Sequence, residues 1–315
     1  MKDKKILIAF VAFVLLATVP FVAAQQNGPD YGHSNGVASV TTDNIGLKVT
    51  ATNQVPHFHF WDANDSTPGA DYHVMFSKFF EANDTDDDGT YTPGTDQRVY
   101  DPLTLPSLGW EFSGFETEGN PTEKIHFNFT STETFTPQGP PTLADTGPPT
   151  SMDITIKILV HIDLANDNEM KFDIMLDGWD WTYDDSILVF QFTISESQHG
   201  EENGTAEPTN FQGQNGNFTF GNAYMETAQT ATAGNETAPQ TIQVRASHGS
   251  SEAGETGESV YIAFENFGNE SLYYDPTLGI ESDGFTGIID YNTLLIIAGG
   301  ATVIVLIAIV LKMRK

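Results

Sequence analysis

The sequence predicts an all-β protein: an antiparallel β-sandwich ectodomain, formed as one large or two small sandwiches, plus one C-terminal transmembrane helix. Three observations support this fold class. Apolar residues alternate with polar ones along most of the chain, as in half-buried strands. Gly- and Thr-rich turns separate these runs, and no stretch outside the two ends has a helical period.

The N-terminus is expected to be a secretory signal peptide covering residues 1–24. Lysines precede the apolar residues 6–22, and small residues follow at the cleavage position. An uncleaved N-terminal anchor is the alternative. Residues 25–44 are polar and contain glycine, so we expect a flexible leader.

Residues 45–130 are predicted to form a first β half that contains an acidic loop. Alternation is visible at Leu47 and Val49, at Phe58 and Phe60, and again around Phe127. Residues 131–151 carry five prolines and therefore cannot form a central strand. We interpret them as a Pro-rich connection between two halves or two domains.

Residues 152–266 are predicted to form the second β half. Apolar residues at every second position from Met152 to Ile162, a turn, and a second alternating run to Leu176 indicate an antiparallel hairpin. Residues 267–290 are expected to be a stalk that leads to the membrane.

The C-terminal transmembrane helix is predicted at residues 291–312, because residues 294–311 form an uncharged apolar run long enough to cross a bilayer. Basic residues follow it, so the positive-inside rule places the tail 313–315 in the cytoplasm and the rest outside the cell. The expected location is the cell membrane, with a single pass. A GPI-anchor signal is the competing interpretation.

Composition limits the function further. The net charge is -30, so the protein repels nucleic acid and attracts divalent cations. The chain has no cysteine, which excludes thiol catalysis and zinc–thiolate sites and favours a prokaryotic cell surface. Seven asparagines occupy glycosylation sequons: Asn64, Asn83, Asn128, Asn203, Asn217, Asn235 and Asn269.

The acidic run after Asn83 has the ligand spacing of a calcium loop. Asp84, Asp86 and Asp88 alternate before a glycine, and Thr90 can offer its carbonyl oxygen. The residue at loop position 12 is a threonine instead of glutamate, and Asp96 is the expected substitute. We therefore predict a structural Ca²⁺ site, with a solvated acidic turn as the alternative.

Two weaker ligand candidates come from histidine and tryptophan. His57 and His59 share a strand face and could hold copper, zinc or nickel with a third ligand such as His73, although solvent-facing histidines are the simpler interpretation. Trp179 and Trp181 could stack on a sugar ring, although a tryptophan in such a turn more often caps the core.

No catalytic motif is present in the sequence, so we do not expect an enzyme.

The segment from Tyr72 to Gly94, and the hairpin that leads to Gly178 and Trp179, resemble uncharacterised archaeal single-pass surface proteins with an acidic D-x-D-x-D-G loop. The resemblance spans roughly residues 70–195. It implies a β-rich archaeal ectodomain without an established activity.

The predicted function is that of a non-enzymatic, calcium-stabilised, N-glycosylated surface protein in adhesion, envelope structure or ligand display. Its expected partners are the membrane, through the C-terminal helix, and an extracellular protein or glycan. The alternatives are a surface module that binds carbohydrate or a transition metal and, less favoured, a surface-anchored hydrolase.

Overall fold

A computed structural model describes residues 29–34, 36–50, 56–64, 69–138, 151–199, 206–234, 237–250 and 256–281. The predicted signal peptide, transmembrane helix and cytoplasmic tail lie outside these residues, as do Asn203 and Asn235. Among the described residues, no helix is long and apolar enough to cross a membrane.

The described residues form an all-β fold in which every pairing between strands is antiparallel, as predicted. One short 3₁₀ helix, Leu105–Ser107, accompanies the strands. The first ten strands are β1 (Asp30–Ser34), β2 (Val37–Thr41), β3 (Ile45–Thr50), β4 (His57–Asp62), β5 (Ala70–Asn83), β6 (Gln97–Arg98), β7 (Leu103–Thr104), β8 (Glu111–Phe112), β9 (Glu116–Glu118) and β10 (Lys124–Phe135). The others are β11 (Met152–Asp163), β12 (Glu169–Asp177), β13 (Ser186–Gln198), β14 (Gln212–Gln214), β15 (Asn217–Phe220), β16 (Ala223–Glu226), β17 (Thr230–Ala233), β18 (Gln240–Ser250), β19 (Glu258–Glu265), β20 (Leu272–Tyr274) and β21 (Thr277–Ile280).

The strands form two sheets. Sheet I has the order β1-β2-β3-β4-β5-β13-β19-β18, and β6 and β7 also pair with β5. Sheet II is built around β10, β11 and β12, with β8 and β9 at one side and β20 and β21 at the other. Strand β18 pairs with β17 of sheet II through its first half and with β19 of sheet I through its second half.

Side-chain alternation explains these strands. In β11 the apolar residues from Met152 to Ile162 are all buried, and the residues between them are partly or fully exposed. The sheet therefore has one face toward the core and one toward water. Strand β13 is buried on both faces for most of its length. One face lies in the shared core, and Ile187 and Val189 on the other face pack in a second cluster with Phe80, Tyr91 and Tyr261.

Aromatic rings join the two sheets. Phe172 of β12 in sheet II lies 5.7 Å from Phe58 and 5.6 Å from Phe76 of sheet I, measured between ring centroids. All three side chains are fully buried. A second contact joins Phe264 of sheet I to Tyr274 of sheet II at 5.1 Å. The core is therefore shared by both sheets.

The structure differs from the predicted organisation at three places. Strands β1 and β2 lie where a flexible leader was expected, and Ala38 and Val40 of β2 are buried in the core. Strands β20 and β21 lie within the predicted stalk and pair with β12, because Leu272 and Leu278 are buried against the core. Residues 282–290 of that stalk are outside the described residues.

The third difference concerns the two predicted halves. Strand β10 continues through Phe135 into the predicted Pro-rich connection, whose residues 139–150 are outside the described part. Strand β5 of the first half pairs with β13 of the second half over 13 residues of β13, from Ser186 to Gln198. Residues 131–151 therefore do not separate two cores.

Phe172→Ala is expected to lower the free energy of unfolding by about 3–5 kcal/mol, because it leaves a cavity between the two sheets. Met175→Ala is a matched control on the same strand, since Met175 is 36 % exposed. It should change the stability by less than about 1 kcal/mol. Urea denaturation of both variants measures the difference, and equal losses would contradict the shared aromatic core.

Candidate metal-binding sites

The acidic loop connects β5 to β6 and is anchored to sheet I by Tyr91. This side chain is buried, and its ring packs edge-on against Phe80 at 4.9 Å and Tyr261 at 5.0 Å. The carbonyl oxygen of Tyr91 accepts a hydrogen bond from the Ser247 hydroxyl at 2.6 Å. The loop is thus fixed to two strands, β18 and β19, that are distant in sequence.

Three carboxylates converge in this loop, as the sequence predicted. Asp84, Asp86 and Asp88 each offer an oxygen, and these oxygens lie within 4.8 Å of one another. Asp84 Oδ2 accepts a hydrogen bond from the backbone N–H of Gly89 at 2.7 Å, and Asp88 Oδ1 accepts one from Thr90 at 2.7 Å. Backbone donors therefore orient two of the three carboxylates.

Backbone conformation explains how the carboxylates meet. Asp87 and Gly89 have positive φ values of 58° and 73°, which turn the chain sharply around the acidic side chains. A Cβ atom at Gly89 would also lie 2.9 Å from Nε of Arg245, whose side chain crosses this position. Glycine is therefore required here by both its conformation and its size.

Asp96 was expected to be a metal ligand, but it lies outside the group of converging carboxylates. Its side chain is buried, and its two oxygens accept backbone hydrogen bonds from Thr85 at 2.9 Å and Thr92 at 2.6 Å. It closes the base of the loop and is not among the three converging carboxylates. Thr90, the other predicted ligand, donates its N–H to Asp88.

The loop concentrates negative charge. Partial desolvation, together with the nearby carboxylates of Asp88, Asp96 and Asp84, raises the pKa of Asp86. Like charges at this separation disfavour one another, and a bound divalent cation would relieve that repulsion.

The sequons are distributed over the surface and the strand edges. Asn64 and Asn269 are exposed, whereas Asn83, Asn128 and Asn217 are partly exposed. Asn83 ends β5 and pairs with both Ser186 and Gln97, directly before the acidic loop.

The tryptophan pair does not form an exposed sugar-stacking platform. Trp179 is 2 % exposed and packs near Phe135, with ring centroids 6.4 Å apart. Trp181 is partly buried, donates its indole N–H to the Gly268 carbonyl at 2.9 Å and contacts Phe267. This turn caps the core, because both rings are used in packing.

Glu81, a buried carboxylate near the end of β5, is not among the residues predicted from the sequence. Its oxygens accept hydrogen bonds from the backbone of Thr182 and Tyr183 and from the Ser186 hydroxyl, at 2.5–3.1 Å. It holds the aromatic turn against the strand that leads into the acidic loop. The signal in the sequence was one acid within an apolar run, Phe79-Phe80-Glu81-Ala82.

Three histidines meet on the other half of β5. His59 of β4 is the register partner of His73 of β5, and His57 is two residues away on the same strand face. Each residue offers one ring nitrogen, and the three nitrogens lie within 4.8 Å of one another. His59 and His73 are buried, and His57 is partly buried.

These histidines are neutral at neutral pH. Burial, together with the neighbouring His73 and Lys48, lowers the pKa of His57 to about 4. Burial and the charges of His57, His73 and Lys48 lower the pKa of His59 to about 2. Burial also lowers the pKa of His73.

A second histidine pair lies on sheet II, where β10 pairs with β11. His126 and His161 are register partners whose Nδ1 atoms are 2.7 Å apart. His161 Nε2 also lies 2.9 Å from the buried Asp173 carboxylate. Both rings are partly buried by this pairing.

Comparison with known proteins does not identify a family for this chain. No protein-family model and no curated protein sequence matches the chain. One solved structure to which it is similar is the crystal structure of a protein in the glycosyl hydrolase family 38 from Enterococcus faecalis, with a TM-score of 0.40 and 11 % identity. The match covers 77 % of this chain and 30 % of that chain. A likeness this weak carries no inference about activity.

Acidification should destabilise the metal-free protein through these histidines. Their folded-state pKa values are below the ordinary 6.5, so the unfolded state binds more protons below that pH. The stabilising contribution is present above about pH 6.5 and is lost as the pH falls. For His59 the loss between pH 7 and pH 5 is about 2 kcal/mol.

Chemical denaturation in EDTA at several pH values tests this expectation. His59→Gln should flatten the decline in stability between pH 7 and pH 5. His33→Gln removes an exposed histidine outside the cluster and should keep the wild-type slope. A His59→Gln slope identical to that of the wild type would show that His59 does not titrate as described.

Proposed function

We propose that this protein is a non-enzymatic, N-glycosylated cell-surface protein whose β-sandwich is stabilised by calcium in the acidic loop. Residues 291–312 would anchor it in the membrane, with the sheets outside the cell. It would serve in adhesion, envelope structure or ligand display, with an extracellular protein or glycan as its partner.

The convergence of Asp84, Asp86 and Asp88 is the observation that carries the calcium proposal. Calcium takes six to eight oxygen ligands at about 2.3–2.6 Å, and carboxylates supply one or two each. Backbone carbonyls and water would complete the shell. Because the loop is already turned by Asp87 and Gly89, binding needs little reorganisation of the backbone.

A structural role for calcium follows from the place of the loop. Asp84 comes directly after β5, and the loop is held at Tyr91 by packing and at Asp96 by hydrogen bonds. The chain has no cysteine to cross-link this connection. A bound cation would add a link between the ends of the loop and offset part of the negative charge.

The position of Trp179 does not favour the carbohydrate-binding alternative. Trp179 is buried, so the proposed stacking pair for a sugar has lost one member.

Calcium should raise the melting temperature of the EDTA-treated protein. A ligand at 100 times its Kd stabilises the folded state by about 2.7 kcal/mol, which corresponds to roughly 5–10 °C for a domain of this size. Asp84→Asn combined with Asp86→Asn should abolish the shift, because it removes two of the converging carboxylates. Differential scanning calorimetry with and without calcium measures it.

Asp87→Asn is the matched control for that experiment. Asp87 is exposed in the same loop but lies outside the converging set, and asparagine tolerates its positive φ. The control should keep the full calcium shift. A wild-type melting temperature that does not respond to calcium would end the calcium proposal.

Removal of residues 291–315 should move the protein from the membrane fraction to the medium of expressing cells, because the apolar anchor and basic tail are lost. Fractionation followed by immunoblotting measures this. A truncated protein that stays with the membrane would show that the anchor lies elsewhere. Full-length protein in the soluble fraction would contradict the proposed location.

A further inference from the structure

We propose that His57, His59 and His73 form a binding site for a divalent first-row transition metal, separate from the calcium loop and with zinc as its simplest occupant. The site lies where β4 and β5 pair, near the start of β5, whereas the acidic loop follows the end of that strand. The inference does not depend on whether the acidic loop binds calcium.

The spacing of two ring nitrogens fits a tetrahedral ion. Zinc–nitrogen bonds of about 2.0–2.1 Å at tetrahedral angles separate two ligand nitrogens by about 3.3–3.4 Å. His73 Nδ1 and His57 Nε2 are 3.3 Å apart. His59 also offers one ring nitrogen, and the ligand atoms of the three histidines all lie within 4.8 Å of one another.

His59 is enclosed with the other two histidines. Its side chain is 5 % exposed. Its ring is tilted against both neighbours, with centroids 4.3 Å from His57 and 4.1 Å from His73. The third imidazole is therefore held beside the two nitrogens that lie 3.3 Å apart.

Ser197 orients His73 for metal binding. Ser197 Oγ lies 2.7 Å from His73 Nε2 and donates its own proton to the Gln198 carbonyl at 3.3 Å. In the tautomer that carries its proton on Nε2, His73 donates to this hydroxyl and its Nδ1 lone pair is available to a metal beside His57. A hydrogen bond from the distal nitrogen is the usual support for a metal-bound histidine.

Protonation does not compete with the metal near neutral pH. Burial lowers the pKa of all three histidines below its ordinary value, so their lone pairs are free to bind. Metal binding requires neutral imidazole, and this cluster supplies it without first releasing protons.

Nearby charges have opposite effects on the site. Lys48, the register partner of His59 on β3, opposes a cation. Asp71, a buried carboxylate two residues before His73, favours one. His57 is the most exposed of the three side chains, because it is partly buried whereas His59 and His73 are buried.

The donor set selects the class of metal. Three imidazole nitrogens suit zinc, copper or nickel, whereas calcium prefers oxygen ligands. The two candidate sites therefore take different ions, and each can be measured in the presence of the other ion.

Isothermal titration calorimetry of the untagged full-length protein with zinc chloride tests the proposal. EDTA is removed first, and excess calcium is kept in the buffer to occupy the acidic loop. Wild-type protein should bind one zinc ion more tightly than the ligand variants do. His57→Gln and His73→Gln should each weaken this binding by about 100-fold or more, and Ser197→Ala by about 10–100-fold.

Two control variants define where the zinc is. His126→Gln with His161→Gln removes the other histidine pair, and Asp84→Asn with Asp86→Asn removes two of the acidic loop ligands. Both should keep the high-affinity zinc ion. X-ray absorption spectroscopy of the zinc-loaded wild-type protein should show three histidine ligands around the zinc ion.

Unchanged zinc affinity in folded His57→Gln and His73→Gln proteins would overturn the proposal, as would loss of the ion in either control. Circular dichroism establishes which variants fold. If both ligand variants fail to fold, the Ser197→Ala affinity and the X-ray absorption spectrum decide: unchanged affinity, or a shell without histidine, would reject the site.

Discussion

The pairing of β5 with both β4 and β13 is the constraint on which the rest of the structure depends. One face of β5 supplies Tyr72, Val74 and Phe76 to the shared core, and their burial fixes the register of the strand. The same register places His73 opposite His59 and puts Asp84 just beyond the last paired residue. A slip by one residue would exchange the two faces of β5, put polar side chains such as His73 into the apolar core and destroy both candidate sites.

The two ends of β5 differ in their surroundings, and this difference explains their different chemistry. At the start, neighbouring strands bury imidazoles and hold them neutral. At the end, the chain leaves the sheet and exposes carboxylates around a turn that Tyr91 and Asp96 anchor. A buried nitrogen cluster and an exposed oxygen cluster suit different cations. Glu81 connects the second region to the aromatic turn through its buried hydrogen bonds.

Local sequence patterns predicted the features that depend on local structure. The alternation from Met152 to Ile162 gave a strand with the correct buried face, and the spacing of Asp84, Asp86 and Asp88 indicated carboxylates that do converge. The shared face of His57 and His59 was likewise visible as a two-residue period. Each of these follows from backbone geometry over a few residues.

The features that the sequence did not reveal depend on contacts between distant segments. Ser197 is 124 residues from His73, and only the β5–β13 register brings them together. The pairing of His126 with His161 has the same cause. Strands β20 and β21 are three and four residues long, too short for a clear period, and β12 provides the pairing that defines them. Short strands and buried polar pairs are set by tertiary structure.

Element-resolved anomalous diffraction from crystals grown with both calcium and zinc would show whether β5 separates two cation sites of different chemistry. We predict a calcium peak among Asp84, Asp86 and Asp88 and a zinc-edge peak among His57, His59 and His73. Empty density at both places, or both ions in the acidic loop, would contradict this prediction.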